Sequence, residues 1–158
     1  MQDLIDTRDE AQRGAVAGAI GAVGFMLAMA IDLAVTRQKT NDLRLLSGMV
    51  PGGRHLWPFI GSISHVTNGV ALGALFSRVH HGLPGPTWVR GLIFAQVENL
   101  LLWPIIIVLD HIHPGIKRGD LEKYNRPGPF FIEVLRHAVF GAVMGAAYEF
   151  LTPDNRRD

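Results

Sequence analysis

Two histidines stand in matching settings, His65 in HVTNGVALGALF and His137 in HAVFGAVMGAAY. An imidazole moves protons near neutral pH and, when neutral, ligates borderline divalent ions. Carboxylates accompany them. Glu133 precedes His137 by four residues, which puts both on one helical face, and Asp32 and Asp110 recur near the ends of two apolar segments, AIDLAV and VLDHIH. His65, His137, Glu133, Asp110 and Asp32 thus form an imidazole and carboxylate donor set suited to zinc, iron or manganese. Glu98 and Asn68 also interrupt apolar runs and read as a ligand contact or proton relay. There is no cysteine, which excludes thiolate metal sites, iron-sulfur clusters and cysteine nucleophiles. No phosphate loop, serine elbow or HExxH motif is present.

The elements that must position these groups follow from where charge is missing. Only Asp32 is charged between Ala15 and Thr36, only histidines are ionisable between His55 and Ser77, and only Glu98 is charged between Gly91 and Leu109. Runs of that length cross a hydrocarbon core of about 30 Å as helices rising 1.5 Å per residue. The 158 residues, 48% hydrophobic and 18% charged, would suit a soluble globule on average, but polar tails and connections set that average. The fold expected is all-α, an integral membrane four-helix bundle forming one domain. Its spans run over about 14–36, 57–80, 88–109 and 130–151, between polar tails 1–13 and 152–158. The acidic start MQDLIDTRDEAQ lacks a cleavage site after the first apolar run, so that run reads as a span rather than a cleaved signal. Pro104 interrupts the third span and should kink it.

Lys and Arg number 15 against 14 Asp and Glu, so no field exists to attract nucleic acid. Nine basic residues (Arg37, Lys39, Arg44, Arg54, Lys117, Arg118, Lys123, Arg126, Arg136) fall on the side of connections one and three. Six (Arg8, Arg13, Arg78, Arg90, Arg156, Arg157) fall opposite. The asymmetry favours both termini outside.

The shared H-x3-G-x3-G pattern in spans two and four, with aspartates closing spans one and three, suggests two parallel helix-pair repeats about an axis along the membrane normal. Counted inward from connections one and three, His65 and His137 lie about 11 Å deep, Asp32 is shallower, Asp110 is at the rim, and Glu98 and Asn68 are nearer the midplane. Ionisable groups at such depth are costly unless paired, hydrated or neutralised, which makes them functional candidates. His55, His80, His81 and His113 read as solvated loop or interface residues. Gly69, Gly73, Gly141 and Gly145, with Gly14 and Gly18, form small-x3-small packing seams. Glycine beneath histidine also leaves flat space for a bis-histidine b-type haem, the weaker cofactor reading, since no electron-transfer partner motif is visible.

In His65-Val66-x-Asn68, in Ala95-Gln96 with Pro104 after it, and in Glu133-x3-His137, the last three spans resemble the YagU-like bacterial inner-membrane proteins. The chain departs from them at Glu98 and Asn99, near which that family would place a histidine. The resemblance implies a multi-pass protein of the bacterial inner (cytoplasmic) membrane and no defined activity. The function expected is an intramembrane His/carboxylate site binding a divalent metal or a small polar ligand. The alternatives are a non-catalytic accessory subunit of a larger membrane complex and a proton-coupled small transporter or channel. The expected partners are the lipid bilayer and either further copies, as a homo-oligomer, or a larger membrane complex.

Overall fold

A computed structural model describes residues 2–36 and 38–152, with the side chains described from residue 7 onward; Arg37, Arg156 and Arg157, counted above, lie outside the described residues. The helices are α1 (Gln2–Thr36), α2 (Asp42–Ser47), α3 (Trp57–Val79), α4 (Thr87–Ile112), α5 (Pro114–Lys117) and α6 (Pro127–Leu151), with a 3-10 turn at His80–Gly82. No strand occurs among the described residues. By length and composition α1, α3, α4 and α6 are each able to cross a membrane, which marks an integral membrane protein. Their outward faces agree: Leu27, Ile31, Phe59, Ile63, Leu101, Phe131, Leu135 and Phe150 are all exposed, an arrangement water would penalise and lipid does not.

Local chemistry explains the boundaries. Prolines occupy the first turns of α3, α5 and α6, where a missing N–H costs nothing. Asn41 caps α2, its Oδ1 accepting from the Arg44 N–H at 3.0 Å. The first helix starts twelve residues before the expected span. No glycine or proline falls between Gln2 and Arg13, so polarity alone had marked that stretch as a tail, and a polar segment can continue a helix out of the membrane. Pro104 sits inside α4, which runs on through it at the cost of one backbone bond. The short α2 and α5 within connections one and three carry no apolar periodicity long enough to foresee.

The spanning helix α1 packs along both α3 and α6, and α4 packs along α6. Glycines set these approaches. A Cβ on Gly18 would overlap the carbonyl of Gly69, and one on Gly91 would overlap the carbonyl of Gly141; Gly14 against Gly73 and Gly145 against Thr87 repeat the pattern. In lipid, where apolar burial gives helices no reason to associate, such backbone contact supplies the dispersion that does.

Connections one and three lie together at one end. The Lys39 N–H donates to Glu122 Oε1 at 2.7 Å. Asp110, near the end of α4, accepts from the N–H groups of Tyr124 and Asn125, both at 2.8 Å. His113 is fully buried rather than solvated: its Nε2 bonds the Leu45 carbonyl at 3.0 Å and its Nδ1 accepts from the Gly115 N–H at 3.1 Å. His80 is likewise buried, against Phe76 and Tyr148. Flanking prolines and glycines made both look like loop residues, but each ring caps or closes a helix end.

This pattern requires neutral His113 with the proton on Nε2. Burial lowers its pKa, opposed by the bond to the Leu45 carbonyl. A histidine with a depressed folded-state value contributes stability that is complete above its unfolded value, about 6.5, and is lost as pH falls below it. Protonation at Nδ1 removes the acceptor of the Gly115 amide. The hydrogen-exchange protection factor of Gly115, corrected for intrinsic rate, should therefore fall as pH drops below about 6.5; a constant factor would contradict the assignment.

Candidate functional site

All four spanning helices contribute to one interior column, which has three layers. The layer nearest connections one and three is centred on Arg136 of α6, only 1% exposed. An arginine cannot shed its charge, so in a span it must find anions. Its Nε and Nη2 take both oxygens of Asp32 on α1, at 2.6 and 2.8 Å. Its Nη1 donates to Asp42 of α2 at 2.9 Å and to Glu133 one turn back at 2.8 Å. Nη2 also reaches the Thr40 carbonyl at 2.9 Å. One guanidinium thereby joins α1, connection one, α2 and α6, and the two-toothed pairing with Asp32 fixes its plane.

The middle layer is a cavity of about 20 Å³ lined by Phe25, His65, Asn68, Glu98, His137 and Phe140, with Gly69 and Leu72. Phe25 of α1 packs against both imidazoles, its ring centroid 4.5 Å from that of His65 and 5.2 Å from that of His137. His137 Nδ1 lies 2.8 Å from the Glu133 carbonyl and 3.8 Å from that residue's carboxylate, and Nε2 lies 3.3 Å from Glu98 Oε2 on α4. Nδ1 beside a carbonyl is a donor, and Nε2 faces Glu98. His65 Nε2 and Glu98 Oε2 are buried without an aligned hydrogen bond. Gln96 Nε2 donates to the Val134 carbonyl at 2.9 Å and pins α4 to α6 beside this layer.

The third layer is aromatic. Phe76 meets Phe94 and Tyr148 edge-on, at 5.5 and 5.7 Å between centroids, and His80 lies 5.0 Å from Tyr148. The Arg136 cluster thus lies on the near side of the polar column and the aromatic layer on the far side.

Of the donors expected in one metal set, the structure brings His65 and His137 together but divides the carboxylates. Asp32 and Glu133 serve Arg136, and Asp110 holds the turn at Tyr124, away from the cavity. Glu98 and Asn68 do line the cavity, Asn68 from an exposed position on α3. Among the described residues no group of three or more His, Asp or Glu is arranged to hold a metal ion. Gly69 lines the cavity as well as packing on α1; Gly73, Gly141 and Gly145 serve helix contacts.

Sequence reasoning missed the centre of the site. In the sequence Arg136 reads as a basic residue for topology and as an interruption of the fourth span, though a cation nine residues into a span, next to His137 and one turn after Glu133, signals a buried pair. Asp42 and Thr40 had no such signal, because their roles depend on how connection one folds back. Phe25 was indistinguishable from other apolar residues of α1.

The chain belongs to a family of unknown function, DUF6789, whose model matches residues 8–158. No curated protein and no solved structure matches it.

Arg136→Gln would leave three carboxylates facing one another without their cation, and removing one partner of a buried ion network costs about 3–5 kcal/mol. Arg136→Lys keeps the charge but loses the planar fork, so it should fall between. Reversible unfolding in detergent checks the order. An Arg136→Gln protein within about 0.5 kcal/mol of wild type would mean that water, not the guanidinium, compensates the acids.

Proposed function

We propose that this chain is a small multi-pass membrane protein whose His65–Glu98–His137 site binds a proton together with a small polar molecule, inside the membrane. The observation that carries the reading is the convergence of two imidazoles and a carboxylate from three different helices on one cavity, with two buried polar atoms left without aligned partners. Buried polar atoms are almost always satisfied, and exceptions call for a functional account. A cavity of about 20 Å³ accommodates one water-sized occupant. The site has the means to exchange protons: Glu98 lies beside His137 Nε2, and His137 Nδ1 lies near Glu133, which touches the Arg136 cluster.

That cluster holds one guanidinium against three carboxylates. Fully ionised, it would carry two uncompensated negative charges, an excess that protons relieve. Glu98, His137 and Glu133 therefore form a path along which a proton passes between the cavity and the side of connections one and three. A small polar occupant suits the site better than a divalent ion, because the carboxylates a metal would need are already engaged. The aromatic layer of Phe76, Phe94 and Tyr148 occupies the bundle interior beyond the cavity, which favours binding and proton exchange over an open channel.

In this reading the four spans form a bundle of two parallel helix pairs, α1 with α3 and α4 with α6. It is supported by the corresponding close approaches, Gly18 with Gly69 and Gly91 with Gly141. The resemblance to YagU-like proteins supports placing the chain in a bacterial inner membrane.

Infrared difference spectra of the protein in lipid vesicles, taken across a pH titration, test the site. Wild type should show a carboxyl band that Glu98→Gln removes and that His137→Asn alters. Metal analysis of the same samples should find no ion lost on His65→Asn. An unchanged band in both Glu98→Gln and His137→Asn would contradict the reading, as would a stoichiometric metal in wild type that His65→Asn abolishes.

A further inference from the structure

A second cavity, of about 350 Å³, lies away from the intramembrane site, where connections one and three meet. Its walls include Arg44, Arg54, Trp57, His113, Arg118 and Asp120. Three guanidinium groups face a single carboxylate. Arg118 Nε donates to Asp120 Oδ2 at 3.0 Å, and Arg54 Nε lies 3.5 Å from the same oxygen. The hydrogen bond from Arg118 holds Asp120 below the usual carboxylate range; desolvation opposes it, and the fields of Arg54, Arg118 and Arg44 add smaller lowering effects. Counting His113 and His55, which also lines the cavity, as formally neutral, one acid offsets one base and two positive charges remain.

The position and rigidity of the cavity also matter. Trp57 opens α3, and Arg118 directly follows α5, which starts two residues after the last residue of α4. The cavity therefore sits at the ends of two spans, the depth of lipid headgroups, and exposed Leu56 and Phe59 lie beside it. Arg44 stacks on Trp57, its Cζ 4.7 Å from the ring centroid, which restrains the guanidinium plane. The bond from His113 to the Leu45 carbonyl fastens α2 to α5 behind it.

We propose that this basic cavity binds a phosphate monoester, with Arg44, Arg54 and Arg118 as its charge-paired contacts. A phosphate monoester carries about 1.5 to 2 negative charges near neutral pH, which matches the excess of two. Its oxygens accept paired N–H bonds from planar arginine forks in a way that a lone carboxylate cannot reproduce for three arginines at once. Two sources supply that group at this depth: the headgroup of phosphatidic acid in the adjoining leaflet, or a soluble phosphate from the aqueous side.

The test uses the full chain in phosphatidylcholine nanodiscs, titrated with inorganic phosphate, beside nanodiscs that also contain phosphatidic acid. Unfolding midpoints and native mass spectra report occupancy. Arg54 is mostly exposed in a connection, so Arg54→Gln should fold; Arg118→Gln is the second variant, and Arg78→Gln, at the far end of α3, is the control. Apparent affinity for at least one probe should drop about tenfold or more in Arg54→Gln and Arg118→Gln, the loss of one charge-assisted bond, and hold in Arg78→Gln. A response to inorganic phosphate assigns the soluble source, and a response to phosphatidic acid alone assigns the lipid. Binding of neither probe to wild type, or equal binding in all four proteins, would overturn the proposal.

Discussion

The structure depends on one guanidinium buried within the membrane. Arg136 cannot lose its charge, and a bare charge in hydrocarbon costs several kcal/mol, so the helices that surround it must bring anions to it. Asp32 does so from the end of α1, Asp42 from the start of α2, and Glu133 from the preceding turn of α6. Meeting that demand sets the height of α1 against α6 and folds connection one over the top of both. Phe25, two turns further into α1 than Asp32, is then delivered between the two imidazoles. His137, adjacent to Arg136 in sequence, is turned toward Glu98 on α4.

Glycine contacts and the ion cluster divide the work. Gly18 against Gly69 and Gly91 against Gly141 bring backbones close without choosing a chemical partner, and packing of that kind tolerates sliding by a turn. The bidentate pair of Arg136 with Asp32 does not, because planar forks accept one register. A buried ion network is a poor source of net stability and a good source of register, and here register is what aligns the three layers of the polar column.

The legible part of this chain was its solvent. Charge-free runs of bilayer length located four spans, and the glycine spacing marked the faces on which they meet. The residues lining the cavity were also legible, since His65, Asn68, Glu98 and His137 are polar where lipid-length runs should be apolar. The pairing was not. Asp32 and Arg136 are 104 residues apart, and helical periodicity carries no information across helices. Asp32, Glu133 and Asp110 therefore read alike in the sequence, as carboxylates available to a metal, whereas in the fold Asp32 and Glu133 contact Arg136 and Asp110 holds the amides of Tyr124 and Asn125. Polarity misled at the N-terminus as well, where a helix continues through residues that suit water.

The claim that one ion pair sets the register of the site is tested most directly by a double-mutant cycle. Stabilities of wild type, Asp32→Asn, Arg136→Gln and the double variant, measured by reversible unfolding in one detergent, give the coupling between the two side chains. The account predicts a coupling of about 1.5–3 kcal/mol, with the double variant less damaged than the sum of the single ones. Effects that add to within about 0.5 kcal/mol would contradict it, and would mean that the helices find their register without this pair.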